Sequence, residues 1–223
     1  MIKIEKTEVY GFETAIRGMR NPLNSWDKSD SKWVQLPHEK TAAEVRGDLG
    51  YIIGDNDLAL MKKLSNAGND HGKFLRMITV SCDITAPQFW WFEFDTYKVG
   101  TVRNSCSKMH KIHVKPFNYE DFSHEGIDEV AEGFPEVKAA FQTYIDMIEW
   151  MRVQFNNTQE KKYWRTLIEM LPEGYNMKAT VYMNYQVLKT QHPSREFHKV
   201  NEWREYCKWI DSLPLAEEII LGE

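Results

Sequence analysis

The segment from Leu75 to Phe94 constrains the fold most. Arg76, Ile78, Val80, Cys82 and Ile84 alternate with Leu75, Met77, Thr79, Ser81 and Asp83. That period of two predicts a strand over 75–85 with one apolar face. Ala86-Pro87 follows at once, and a proline at a first helical position starts QFWWFEFDTYK as a helix. A half-buried strand that turns directly into a helix points to a mixed α and β chain.

The rest of the sequence fits this reading. Residues 1–13 alternate charged and apolar side chains and read as a strand, with no signal-peptide character. Residues 14–37 hold Asn21-Pro22, Asn24-Ser25 and Ser29-Asp30-Ser31, so they read as loop, with Trp26 and Trp33 as anchors. His38 to Asp48 reads as helical. Asp57 is placed as the N-cap of LALMKKLSNAG, where Leu58, Met61 and Leu64 recur at helical spacing and Gly68 stops the run.

Residues 98–125, rich in Lys, His, Asn and Ser, read as a long functional loop. Pro135 opens a long helix through Phe155, with Val137, Phe141, Tyr144, Ile145, Ile148 and Met151 as its apolar stripe. Thr158 is placed as the cap of a third helix ending before Leu171-Pro172. A strand near Lys178–Met183, a short helix from Asn184 and a last helix over Phe197–Leu213 complete the series. The last shows Val200, Trp203, Cys207 and Ile210 on one face. No repeat or linker divides residues 1–223, which predicts one domain.

Composition excludes several classes. With 42% apolar residues a core can be filled, so a disordered chain is out. A formal charge of −5 argues against a general binder of nucleic-acid polymers. No apolar run reaches the ~18 residues of a membrane span. Three cysteines, Cys82, Cys106 and Cys207, fit a reducing cytoplasm. Aromatic residues at 13% serve a core, and some of them would also suit a flat ligand.

Chemistry concentrates in two places. Residues 96–115 hold Lys98, Arg103, Lys108, Lys111 and Lys115 among Thr101, Asn104, Ser105 and Ser107. Cations, hydroxyls and amides behind a ring-rich helix suit a nucleotide, and would equally make a solvated basic loop. Cys106, His110 and His113 have spacing that could serve zinc, but no second cysteine pair lies nearby, so no metal is assigned. Cys106 among those cations is also a conceivable nucleophile; an ordinary loop cysteine is the simpler reading. The second place is 184–204. Asn184 and Gln186 lie near a helix start, and Arg195, His198 and Glu202 are spaced to share one helical face, as a ligand-binding row or a surface ion-pair row.

Together these clusters resemble the flavin-dependent thymidylate synthase family (ThyX) over about residues 57–210. In the family a strand ends in Ala-Pro-x-Phe, here Ala86-Pro87-Gln88-Phe89, and its helix leads to Arg-His-Arg and then Asn-Glu-x-Ser-x-Arg-Tyr. Later come Leu171-Pro172, a strand, an Asn-x-Arg matched by Asn184-Tyr185-Gln186, and an Arg…His…Glu row that Arg195, His198 and Glu202 match with one residue deleted. The departures are specific. The triplet reads Thr96-Tyr97-Lys98, one extra residue separates it from Ser107, and the family Glu is Ser105. The Arg-Tyr pair is Met109-His110, the helix Gln is Glu93, and the Arg before Leu-Pro falls on Ile168, with Arg165 one turn earlier.

The resemblance implies an α+β fold, a twisted and mostly antiparallel sheet flanked by long helices, in a cytoplasmic homotetramer whose sites combine several subunits. It implies reductive methylation of dUMP to dTMP with FAD, methylenetetrahydrofolate and NADPH, without a protein nucleophile, the flavin relaying both the one-carbon unit and the hydride. By position, Tyr97, Lys98, Asn104, Asn184, Gln186 and His198 would meet the flavin. Glu93, Arg103, Ser107, Lys108, Arg165 and Arg195 would meet the nucleotide. The rewritten triplet leaves two alternatives open: action on another pyrimidine nucleotide, or nucleotide binding without catalysis.

Overall fold

A computed structural model describes residues 1–34, 45–48 and 50–222. In chain order its elements are strand β1 (Lys3–Tyr10), helix α1 (Phe12–Arg20), strands β2 (Lys32–Trp33), β3 (Val45–Gly47) and β4 (Tyr51–Ile52), and helix α2 (Asp55–Asn66). A 3₁₀ turn over Gly72–Met77 leads into β5 (Thr79–Pro87) and α3 (Gln88–Phe94). Then come β6 (Val102–Ser105), α4 (Lys108–Lys111), α5 (Glu125–Ala131), α6 (Glu136–Thr158) and α7 (Lys161–Met170). Strand β7 (Asn176–Asn184), α8 (Tyr185–Arg195), α9 (Asn201–Asp211) and a π-helical turn over Ala216–Leu221 end the series. No helix among the described residues is long and apolar enough to cross a membrane.

The five-stranded sheet has the order β3-β1-β5-β7-β6, and β2 pairs with β4 in a separate antiparallel ribbon. β3 runs parallel to β1, with Thr7 opposite Val45. β1 and β5 run antiparallel: the Thr79 hydroxyl donates to Tyr10 O, and Lys6 lies 3.4 Å from Asp83. β5 and β7 are antiparallel as well, since Tyr185 N–H donates to Ile78 O and the Thr180 hydroxyl to Asp83. The architecture is the expected sheet with helices, mostly antiparallel.

The chain divides into two compact units. The first comprises Met1–Lys3, Thr85–Asp95 and Ser105–Ala179; the second comprises Ile4–Ile84, Thr96–Asn104 and Thr180–Glu223. In the first, Ile145 and Ile148 of α6 and Leu167 of α7 are buried with Ile112, Phe117 and Phe122. Trp90, Trp91 and Phe94 bury α3, and the Trp91 indole N–H donates to Met177 O at 3.0 Å. In the second, Ile78, Val80, Cys82 and Ile84 are all buried, as the alternation of β5 predicts. Trp203, Cys207 and Ile210 form the buried face of α9.

Several expectations give way. Phe12–Arg20 is a helix, not a continued strand and loop, because Phe12, Ala15, Ile16 and Met19 bury one side of it. Trp26 and Trp33 are not core anchors: they are 54% and 55% exposed, and their indoles donate to Asn21 and Glu13. Of the helix expected over His38–Asp48, residues 38–44 lie outside the described residues, while Val45–Gly47 is strand, drawn into line by β1.

Asp57 does not cap α2. That helix starts at Asp55 with Gly54 before it, and Asp57 is fully buried against Arg20. Residues 72–77 form a 3₁₀ turn rather than the start of β5, so Arg76 is exposed instead of sharing the apolar strand face. Pro87 ends β5 as the N-cap of α3, which stops at Phe94. The region 98–125 is not loop throughout, since it carries β6 and α4. Thr158 ends α6 and its hydroxyl accepts the Glu160 N–H, leaving Glu160 as the N-cap of α7. The last helix begins at Asn201, not Phe197, so Arg195, His198 and Glu202 do not share one helical face: α8 ends at Arg195 and a turn carries His198.

Candidate functional site

In the second unit, the start of α8 is fixed by its cap. The Asn184 Oδ1 accepts the Val187 N–H at 3.1 Å, which leaves its amide nitrogen free of that duty. Gly100 approaches the same amide closely. It adopts φ +79, and a Cβ there would lie 3.0 Å from Asn184 Nδ2 and 3.1 Å from Val187 Cγ2. Around this approach Arg76, Thr96, Tyr97, Lys98, Gly100, Asn184, Gln186 and Thr190 line a cavity of about 500 Å³. Gln186 is steadied by its bond to Asn69 Oδ1 at 3.2 Å.

The lining holds two cations and, among the described residues, no carboxylate. Such a cavity takes an anion. Amide and hydroxyl donors and the Tyr97 ring add hydrogen bonding and a flat wall, which suits a planar, phosphorylated molecule.

Behind Tyr97 stands Arg195. Its Nε donates to the Tyr97 hydroxyl at 2.9 Å, and its guanidinium lies 4.3 Å from the centre of the Trp203 ring and 5.5 Å from that of Tyr97. Hydrogen bond and cation–π contact together fix the phenol's orientation. His198 meets Trp203 edge-on, and its Nδ1 accepts the Val200 N–H at 3.2 Å. Neither Arg195 nor His198 lines the cavity.

The first unit has its own cavity, of about 480 Å³. Lys3, Lys108, Lys111, Lys115 and Lys178 line it with Cys106, Ser107, Phe117, Tyr175 and Asn176, and Glu120 and Asp121 offset part of the charge. The Cys106 N–H donates to Lys178 O at 2.9 Å, which brings the α4 turn against β7. Ser107 Oγ caps that turn by accepting the His110 N–H at 3.2 Å, and Lys108 donates to Gln88. Burial first, then the charges of Asp121 and Cys106, push the Tyr175 phenol up to about 12, so it stays a neutral donor. Asn176 Oδ1 is buried beside this cavity without a hydrogen-bond partner among the described residues.

The sequence candidates thus separate. Tyr97, Lys98, Asn184 and Gln186 meet in one cavity; Ser107 and Lys108 meet in the other. Glu93 on α3, Arg103 and Asn104 on β6, and Arg165 on α7 line neither. Arg165 is 77% exposed and paired with Glu169 at 2.7 Å. Cys106 and His110 are exposed, while His113 packs its ring on Phe155; no metal-binding group of three such side chains occurs among the described residues. Sequence reasoning missed Arg76 and Lys178. A lone arginine within the apolar run Phe74–Ile78 was the available signal for the first.

No protein-family model matches the sequence, and no curated protein matches it. Solved structures do. ThyX from Helicobacter pylori, complexed with FAD and dUMP, superposes with a TM-score of 0.66 at 16% identity, over 98% of this chain and 97% of that one. The fold is that of the flavin-dependent thymidylate synthases. A second ThyX structure from Helicobacter pylori, also with FAD and dUMP, gives 0.67 at 16% identity over 99% and 97% of the two chains. The UMP/dUMP methylase PolB from Streptomyces cacaoi, bound with 5-Br dUMP, gives 0.63 at 10% identity over 100% and 94%. Likeness to ThyX therefore runs through nearly the whole chain and is carried by the backbone far more than by the sequence.

Proposed function

We propose that this protein is a ThyX-like flavoenzyme that methylates dUMP to dTMP, with methylenetetrahydrofolate as one-carbon donor and NADPH as reductant. One observation carries the reading: on a ThyX fold, Tyr97, Lys98, Asn184 and Gln186, from separate stretches of sequence, line a single cavity with no carboxylate among the described residues. Those residues fit FAD. Gly100 leaves room where a Cβ would press on Asn184, and cations, amides and a phenol ring supply the donor set. When bound, the flavin supplies redox and one-carbon chemistry that side chains lack.

The chain's own residues bind and orient. Lys98 offers a point charge to phosphate, and the Asn184 amide offers a hydrogen-bond donor at the helix start. Tyr97, held by Arg195, presents a flat ring to the cavity. The nucleotide is assigned to the lysine-lined cavity, where Ser107 stands at the family's substrate position and Lys108 beside it supplies charge. There the unpartnered Asn176 acceptor and the neutral Tyr175 hydroxyl offer contacts to a base edge. We take the chain to act as one ThyX-like domain, in a homotetramer. Free Cys82, Cys106 and Cys207 suit the cytoplasm.

The test is the absorption spectrum of the purified protein, alone and with FAD and dUMP, followed by NADPH-dependent bleaching of the flavin. Bound flavin whose reduction depends on the nucleotide supports the reading. A protein that neither carries flavin nor takes up added FAD refutes it.

A second reading, that another pyrimidine nucleotide is the substrate, draws on the same cavity. Lysines, and among the described residues no arginine, stand around Ser107. Rescue of a thymidine auxotroph would count against it. Bound nucleotide with no turnover of any pyrimidine would leave a binding protein.

A further inference from the structure

We infer that Arg76 is a phosphate-binding residue of the flavin cavity, acting with Lys98 on the phosphoryl groups of FAD. This rests on the flavin reading above and names a contact that reading does not assign. Arg76 lies at the end of the Gly72–Met77 turn, exposed and lining the same cavity as Lys98. Neither side chain has an ion pair or hydrogen bond with another described residue. Three other arginines of this unit are committed: Arg20 to Asp57, Arg195 to Tyr97 and Trp203, Arg204 to Asn201. Two uncommitted cations lining a cavity that has no carboxylate among the described residues are an unmet demand for negative charge.

The turn itself is not free to swing away. α1, α2 and α8 all pack against it, and Phe74 and Leu75 on it are buried. Arg76 is thereby carried on a supported backbone, and its guanidinium can present two parallel N–H groups to a phosphate, which Lys98 cannot do alone. In the triplet, Thr96 and Tyr97 bring no positive charge. Arg76 supplies the missing second cation from a different segment.

The experiment titrates riboflavin, FMN and FAD into wild type, Arg76→Ala, Arg76→Lys and, as a control from the same turn but outside the cavity lining, Lys73→Ala. Deoxyuridine and dUMP are titrated in parallel. Wild type should prefer FMN and FAD to riboflavin. Arg76→Ala should weaken the phosphorylated flavins roughly tenfold to a hundredfold, the scale of a lost charge-assisted hydrogen bond, and leave riboflavin unchanged. Arg76→Lys should fall between, and Lys73→Ala should match wild type.

Equal loss for all three flavins, or no loss, overturns the assignment. So does a loss confined to dUMP over deoxyuridine, which would give Arg76 to the nucleotide. A wild type that binds none of the flavins overturns the flavin reading itself, and this inference with it.

Discussion

Asp57 is the side chain whose replacement should cost the second unit most. Its Oδ1 lies 2.6 Å from Arg20 Nε, with side-chain exposures of 0% and 4%. Its Oδ2 accepts from four donors: the hydroxyls of Ser29 (2.7 Å) and Ser31 (2.6 Å), and the N–H groups of Asp30 (3.2 Å) and Ser31 (3.1 Å). Asp57→Asn keeps the shape and puts an NH₂ in place of one oxygen. Turned one way, that NH₂ faces the guanidinium. Turned the other way, it faces two backbone N–H groups that cannot accept.

Either orientation leaves a buried cation without its counter-charge, a loss of about 3–5 kcal/mol. At about 2–4 °C per kcal/mol for a chain of this size, the melting temperature should fall by roughly 6–20 °C. Thermal and urea unfolding followed by both far-ultraviolet dichroism and tryptophan fluorescence would measure it, two probes being needed because the chain has two units. Burial opposes ionisation of Asp57, but hydrogen bonds from Ser31, Ser29 and Arg20 outweigh it and hold the carboxyl below its ordinary value.

A depressed folded pKa means the stabilisation is present above about pH 4, the unfolded value, and is lost as pH falls through the folded one. Wild type and Asp57→Asn should therefore converge in strong acid. A variant within about 1 kcal/mol of wild type at neutral pH, or a gap that does not narrow in acid, refutes the argument.

Two further outcomes follow from the geometry. Gly100→Ala imposes a side chain at φ +79 and presses it on Asn184, whereas Gly68→Ala at φ +95 meets open space. Both should cost about 1 kcal/mol in unfolding assays, but only Gly100→Ala should also weaken FAD binding by fluorescence titration.

In the first unit His124 lies 2.6 Å from Asp128 and 3.1 Å from Glu120, with Tyr119 and Lys138 also on Asp128. Burial lowers the imidazole pKa, and the two carboxylates more than restore it, so the net shift is upward. Its stabilisation should be complete below about pH 6.5 and fade as pH rises through the folded value. Asp128, held at about 2 by Lys138 and then His124, loses its share only in acid. Melting curves should decline on the alkaline side in wild type, and His124→Gln should flatten that decline; an unchanged profile would argue against the His124 contribution.

What the sequence made legible was what repeats locally. β5, β7 and α6 carry long stretches of one period, so Ile78–Val80–Cys82–Ile84 and Ile145–Ile148 are buried as read. The misreadings arise where distant contacts decide. Asp57 has the residue type of a cap, but Arg20, thirty-seven positions away, draws it into the interior. Phe12, Ala15, Ile16 and Met19 have helical spacing, yet the turn-rich stretch after them dominates the reading. In the site, Asn184 was legible as a helix start because capping is local. The junction of Arg195 with Tyr97 spans ninety-eight positions and leaves no local trace.

That junction bears on how a ThyX fold can do without most of its signature. On the proposed reading Thr96-Tyr97-Lys98 stands where the family has Arg-His-Arg, and a cavity that simply lost two arginines and an imidazole would bind anions poorly. The charge is redistributed here. Lys98 stays, Arg76 enters the same cavity from the Gly72–Met77 turn, and Arg195 is spent on holding the phenol that replaces the imidazole. A phenol accepting a guanidinium N–H directs its own proton elsewhere, so Tyr97 can donate a hydrogen bond but, unlike an imidazole, brings no cationic form to the cavity. Flavin binding that leans on Arg76 and Lys98 should then hold constant between about pH 6 and 8, where an imidazole in that position would titrate. A binding constant that falls across that interval in wild type would undo this account of the triplet.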